Sequence, residues 1–198
     1  MIIKVCGMRE PDNIHAVEQL GIDWMGFIFW PKSPRYVAAP PTYLPTRCKR
    51  VGVFVDSPVD DVLRHAETYR LDLIQLHGHE TPEYIRHLQG HKIIKALSIS
   101  SKNDVEIYKA YEGLTDYFLF DTRCTTVGGS GRQFDWSLLS EYSGQTPFLL
   151  SGGIGPDDAE QVKTLQQPCL AGIDLNSRFE TAPAHKDIQK LKQFLKKI

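Results

Sequence analysis

The sequence has no long hydrophobic run, no charge excess and no paired cysteines. Its longest apolar stretch, residues 24–30, covers seven positions, far short of the roughly 20 that a membrane-spanning helix needs. Lys and Arg number 23 against 24 Asp and Glu, a net charge of −1, so the basic surplus of a nucleic-acid binder is missing. The densest basic stretch, residues 186–197, alternates with apolar residues at helical spacing and reads as the wet side of an amphipathic helix. The opening Met-Ile-Ile-Lys-Val-Cys-Gly has neither a basic region nor a long apolar core, so no secretory signal is expected there. Cys6, Cys48, Cys124 and Cys169 are scattered with no Cys-x-x-Cys. Reduced thiols and a cytoplasmic location are therefore expected, rather than a disulfide framework or a zinc knuckle. G-x-S-x-G, the nucleotide P-loop and the Rossmann glycine fingerprint do not occur, which leaves a serine hydrolase or a dinucleotide enzyme without support.

What is present is a regular alternation. With 41% hydrophobic and 24% charged residues, the chain has the proportions of a globular protein with an ordinary core. Eight short β-rich runs are expected as strands, at residues 2–6, 24–29, 51–55, 73–76, 92–96, 117–120, 148–151 and 170–175. Several are continuous apolar runs, such as Tyr117-Phe-Leu-Phe120, as parallel strands covered on both faces require. Between them lie helical patterns: Ile14, Val17 and Leu20 share one face, and so do Ile188, Leu191, Leu195 and Ile198.

Pro11, Pro58, Pro82 and Pro156 each stand just before a helical pattern, and proline suits the first helical position because its missing N–H has no partner there. Ser57 and Thr81 are expected as N-caps, and Ser101 with Asp104 as a capping box. One βα unit used eight times predicts a compact α/β protein, a (β/α)₈ TIM barrel forming a single domain over residues 1–198. At about 25 residues per unit it lies near the lower limit for that fold. Residues 31–48 hold five of the 12 prolines. They are expected to replace or shorten the second helix, and to arch over the barrel mouth.

Barrel chemistry sits where strands end. Those positions carry Cys6, Arg35, Asp56, His77-Gly78-His79-Glu80, Asp121, Ser151-Gly-Gly-Ile154 and Asp174. Ser151-Gly-Gly-Ile-Gly-Pro156 follows the seventh strand, the usual phosphate position of these barrels. Glycines there let backbone N–H groups approach an anion. Gly128-Gly-Ser-Gly131 suits a flap that closes over substrate, or a plain connector. Cys6 taken singly reads as core, and Asp121 as a loop cap. Together across a barrel mouth, a thiol and a carboxylate make a base and acid pair. Arg35 offers a fork for a substrate carboxylate. His77 and His79 form an H-x-H, but no further ligand is evident by spacing, so no metal is expected.

These residues also carry a family resemblance. Lys4-Val-Cys-Gly-Met8, Gly26-Phe-Ile-Phe29, Ser33-Pro-Arg-Tyr-Val37, Val51-Gly-Val-Phe54, Gln75-Leu-His-Gly78, Asp121-Thr, Gly128-Gly-Ser-Gly131, Phe134-Asp-Trp136 and Ser151-Gly-Gly-Ile154 closely resemble phosphoribosylanthranilate isomerases, in family order along essentially the whole chain. The resemblance implies an Amadori rearrangement in tryptophan biosynthesis, converting N-(5′-phosphoribosyl)anthranilate to 1-(2-carboxyphenylamino)-1-deoxyribulose 5-phosphate without a cofactor. It implies Asp121 as general acid, Cys6 as general base and Arg35 on the anthranilate carboxylate. Gly152 and Gly153, with Asp174 and Ser177 of the strand-eight loop, would serve substrate and phosphate. The small-molecule substrate is the implied partner, with no nucleic acid or membrane, for a monomer or homodimer. Where members usually read D-V-S-S-G-V-E, this chain reads Asp174-Leu-Asn-Ser-Arg-Phe-Glu180, so Arg178 replaces a glycine beside the expected phosphate site. Two rivals remain open. One is another phosphate-binding barrel of the pathway such as indole-glycerol-phosphate synthase, for which a catalytic lysine and a longer chain are expected. The other is a catalytically silent barrel that only binds a phosphorylated ligand or partner.

Overall fold

The structure, a computed structural model, describes residues 1–122 and 135–198. Eight parallel strands close into a barrel in chain order. They are β1 (Ile2–Val5), β2 (Trp24–Ile28), β3 (Lys49–Phe54), β4 (Leu73–Leu76), β5 (Lys92–Ile99), β6 (Tyr117–Thr122), β7 (Phe148–Leu150) and β8 (Leu170–Leu175). All eight fall on the segments expected from sequence. The seam is the pairing of β1 with β8, which sets Lys4 opposite Asp174.

Strand alternation sorts the apolar residues into two cores. Trp24, Val51, Leu73, Ile94, Leu119 and Leu149 pack together as one small cluster that fills the barrel floor. Their neighbours in sequence, among them Met25, Ile74, Phe118, Phe120 and Phe148, belong to the larger cluster between sheet and helices. The inward columns therefore run Ile2–Lys4–Cys6, Val51–Val53–Val55, Leu73–Gln75–His77 and Tyr117–Leu119–Asp121. Each is apolar at the floor, and three of the four turn polar towards the mouth.

The helices are α1 (Pro11–Glu18), α2 (Val59–Tyr69), α3 (Pro82–Arg86), α4 (Lys102–Val105), α5 (Ala159–Thr164) and α6 (Ile188–Leu195). Pro11 and Pro82 open α1 and α3, with the Thr81 side chain accepting from Tyr84 N. The capping box of Ser101 and Asp104 is formed. Pro58 instead occupies the N-cap of α2, so Ser57 caps nothing; its carbonyl accepts from the Tyr84 hydroxyl. Pro156 lies in a turn ahead of α5, whose N-cap is Asp158. In both cases the turn after the strand is longer than the proline position alone suggests. On α6, Leu191 and Phe194 are buried, and Lys190 and Lys192 on the helix and Lys196 and Lys197 just after it face solvent as expected. Lys186 departs from that pattern: it is buried in β10 (His185–Lys186), a short strand paired with β9 (Glu180–Ala182).

No helix separates β2 from β3. The expected arch over the mouth is not what residues 31–48 form. Trp30 and Ser33 stand at the mouth, but the chain then descends the outside of the barrel. There the buried Glu18 carboxylate of α1 accepts from Thr46 N, Arg47 N and the Tyr43 hydroxyl. A buried carboxylate needs such donors, and Glu18 obtains them from the very segment that lacks a helix.

Candidate active site

One pocket at the carboxyl ends of the strands is lined by Cys6, Ile28, Trp30, Ser33, Val53, Val55, Gln75, His77, Asp121, Ser151, Gly152, Gly153, Ile154, Asp174, Asn176 and Ser177. Of the site residues expected from sequence, Cys6, Asp121, Gly152, Gly153, Asp174 and Ser177 meet there, and Arg35 does not line it.

Cys6 follows β1 and is 3% exposed, its N–H donating to Leu175 O. The thiol owes its position to Gly26 on the neighbouring strand: a Cβ on Gly26 would lie 2.7 Å from Cys6 Sγ. Burial pushes the Cys6 thiol above its ordinary range, against the pull of the Lys4 and Lys186 ammonium groups. Lys4 is wholly buried one inward position below Cys6, and its Nζ pairs with Asp174 Oδ1 at 2.9 Å. Burial works against the Lys4 charge, but Asp174 and Cys6 outweigh it and hold the ammonium above its ordinary range. Asp174 thus enters the pocket as one half of an ion pair.

Asp121 is the penultimate residue of β6. Its Oδ1 accepts from Thr122 N at 2.8 Å and its Oδ2 meets His77 Nε2 at 3.1 Å. His77 in turn meets the Gln75 amide nitrogen through Nδ1 at 2.9 Å. His79, next along, is exposed and bonds Asp56 instead, so the two histidines of the H-x-H serve different carboxylates. Among the described residues no group of three His, Cys, Asp or Glu converges as a metal site would.

Gly152 and Gly153 both have positive φ, 84° and 75°, a backbone region that side chains resist. A Cβ on Gly152 would also lie 2.3 Å from Thr122 Oγ1 and 2.8 Å from Asp121 Oδ1. The turn is thus packed directly against the end of β6. Arg178 leans across it, Nε donating to Gly153 O at 3.4 Å. The residue replacing the family glycine therefore ties the strand-eight loop to the strand-seven turn. The stretch Gly128-Gly-Ser-Gly131, and Phe134 with it, lies outside the described residues.

Arg35 is buried beside the site with its fork engaged. Nε and Nη2 donate to the Glu180 carboxylate, at 2.9 Å and 2.6 Å for the shortest contacts, and Lys186 Nζ pairs with Glu180 Oε1 at 2.5 Å. Lys186 Nζ also donates to Asn176 Oδ1 at 2.9 Å. Arg35 and Lys186 hold the Glu180 carboxyl below its ordinary range even though burial works the other way. Nη1 of Arg35 has no hydrogen-bond partner among the described residues.

Sequence reading singled out His77 only as a strand-end residue and half of an H-x-H, without its bond to Asp121. It missed Lys4, Gln75, Asn176, Glu180 and Lys186 as site residues, although strand alternation was signal enough for Lys4 and Gln75, which sit at inward positions. It also missed Trp30, which with Ile28, Val53 and Val55 forms an apolar wall. The pocket therefore pairs that wall with a thiol, a carboxylate and a glycine turn.

The model of the N-(5′-phosphoribosyl)anthranilate (PRA) isomerase family matches residues 3–197. The N-(5′-phosphoribosyl)anthranilate isomerase of Parabacteroides distasonis is 52% identical over 206 residues, covering 100% of this chain and 93% of that one. The crystal structure of phosphoribosyl anthranilate isomerase from Thermus thermophilus superposes with a TM-score of 0.86 at 29% identity, over 100% of this chain and 98% of the other. A second such isomerase superposes with a TM-score of 0.82 at 30% identity, covering 100% of this chain and 98% of the other. Its structure holds reduced 1-(o-carboxyphenylamino)-1-deoxyribulose 5-phosphate. With a family match along almost the whole chain and a full-length relative more than half identical, the chain belongs to the N-(5′-phosphoribosyl)anthranilate isomerase family.

Proposed function

We propose that Cys6 and Asp121 divide the proton transfers of the Amadori rearrangement between them. The activity follows from family membership: isomerisation of N-(5′-phosphoribosyl)anthranilate to 1-(2-carboxyphenylamino)-1-deoxyribulose 5-phosphate, a step of tryptophan biosynthesis. Asp121 gives its proton to the furanose ring oxygen. The ring C–O bond breaks as the nitrogen lone pair forms a C1′=N iminium. Cys6, as thiolate, then takes the proton from C2′. The released electron pair forms C1′=C2′ and the iminium electrons return to nitrogen. The resulting enolamine becomes the ketone as a proton leaves the C2′ hydroxyl and one is added at C1′. Acid and base are the two groups such a proton shuffle needs. The carrying observation is that both side chains line one pocket at the ends of inward columns.

The wall of Trp30, Ile28, Val53 and Val55 suits the anthranilate ring. Its carboxylate meets Arg35 through Nη1, while Glu180 keeps the rest of the guanidinium in place. The phosphate lies at the Gly152–Gly153 turn and Ser177, with Arg178 close by. We place the protein in the cytoplasm: Cys6, Cys48 and Cys169 are free thiols. Among the described residues no helix is long and apolar enough to cross a membrane. We take it to act as a monomer or a homodimer.

The test is turnover of freshly prepared N-(5′-phosphoribosyl)anthranilate by wild type, Cys6→Ala and Asp121→Ala. Product from wild type alone supports both roles. Full activity in either variant removes that residue from the mechanism, and binding without turnover by wild type favours the silent barrel.

A further inference from the structure

Gln75 is 1% exposed in the barrel interior, one inward position below His77. Its amide nitrogen donates to His77 Nδ1 at 2.9 Å, and its Oε1 is buried without a hydrogen-bond partner among the described residues. An orphaned buried carbonyl is destabilising. The neighbouring inward positions, Val53 on β3 and Ile94 on β5, are filled by apolar side chains, so packing alone gives no reason for an amide here. What the amide does is choose the histidine tautomer. With Nδ1 accepting, the proton of the neutral ring sits on Nε2, which lies 3.1 Å from Asp121 Oδ2 and donates to it. Thr122 N holds the other carboxyl oxygen at 2.8 Å.

We propose that Gln75 and His77 form a hydrogen-bonded relay that positions Asp121 and stabilises the negative charge Asp121 takes on as its proton leaves. The inference deepens the reading of Asp121 as general acid and rests on it. Asp121 lines the pocket from the end of β6, and two fixed N–H donors prevent the carboxyl from rotating away from the ring oxygen. Each donor occupies one lone pair on a different oxygen and leaves another for the departing proton. Donors already in place where charge develops need no reorganisation during the step. His77 is thus a positioning residue acting through Asp121, and Gln75 acts through His77.

The experiment is steady-state turnover of N-(5′-phosphoribosyl)anthranilate by His77→Leu, His77→Gln, Gln75→Leu, the double variant His77→Leu/Gln75→Leu, and Asp121→Ala, each checked for wild-type thermal unfolding. Loss of a hydrogen bond to a charged group predicts a fall in kcat of about 10–100-fold for His77→Leu, with KM little changed. His77→Gln, whose terminal amide N–H reaches about where the imidazole Nε2–H does, recovers most of that loss. Gln75→Leu lowers kcat by a smaller factor, and the double variant is no slower than His77→Leu alone, because Gln75 acts only through the ring. An unchanged kcat in His77→Leu overturns the relay, as does a rise confined to KM, which marks a direct contact with bound substrate. Additive losses in the double variant overturn the role of Gln75. If Asp121→Ala loses turnover while His77→Leu does not, the relay fails and the acid assignment stands. If Asp121→Ala turns over like wild type, the acid assignment itself fails and the relay with it.

Discussion

Lys4 and Asp174 face each other across the seam that closes the barrel, joined at 2.9 Å with both side chains out of solvent. Removing one partner of a buried pair leaves an uncompensated charge and costs about 3–5 kcal/mol, whereas removing both is far milder. Lys4→Met is expected to destabilise the fold by about that amount, and Lys4→Met/Asp174→Asn to regain a large part of it. Urea unfolding of the three proteins checks this. Equal stability of Lys4→Met and wild type would show that the pair carries no net interaction.

The pH dependence follows from Cys6. Its thiol is pushed above the ordinary range, chiefly by burial, and only the thiolate serves as base. The active fraction of the free enzyme therefore grows as pH rises, and kcat/KM is expected to climb on the alkaline side of neutrality. A kcat/KM that is flat from pH 6 to 9 would count against Cys6 as the titrating base.

Gly26 leaves room for the Cys6 thiol. A Cβ there would sit 2.7 Å from Sγ and 3.1 Å from the Cys6 Cα, and backbone cannot swing aside as a side chain tip can. Gly26→Ala is expected to cost about 1–3 kcal/mol of stability through overpacking and to lower kcat by more than tenfold through displacement of the thiol. Differential scanning calorimetry and turnover measure the two effects separately.

Glu180 binds both Arg35 and Lys186, and its carboxyl is held below its ordinary range. A carboxylate with a depressed folded value contributes stability that is present above its unfolded value of about 4.3 and is lost as pH falls through the folded value. The acid limb of the stability curve is therefore expected to be shallower in Glu180→Gln than in wild type below about pH 4.3. KM is also expected to rise as Arg35 loses its anchor. Chemical denaturation at pH 3–7 tests the first expectation. An unchanged KM would remove Arg35 from the carboxylate subsite.

The strands were legible in the sequence because burial on both faces demands continuous apolar runs, and Tyr117-Phe-Leu-Phe120 has no other comfortable home. Pro11 and Pro82 were legible for a similarly local reason. Pro58 and Pro156 were not, because the length of the turn between strand and helix is set by how the helix packs on the barrel. Residues 31–48 show the same limit. Their prolines argued against a helix, but their descent along the barrel depends on Glu18, some 30 positions earlier in sequence.

Alternation, turn chemistry and motif order are local properties of the chain, and they sufficed for the barrel, the family and the small set of polar residues at strand ends. What those residues face depends on how the closed barrel brings remote segments together. Arg35 and Glu180 are 145 positions apart, Lys4 and Asp174 are 170 apart, and His77 and Asp121 are 44 apart. Each pair exists because closing the barrel brings distant strand ends to one rim. Their charges and hydrogen bonds depend on burial and distance, which no local pattern encodes.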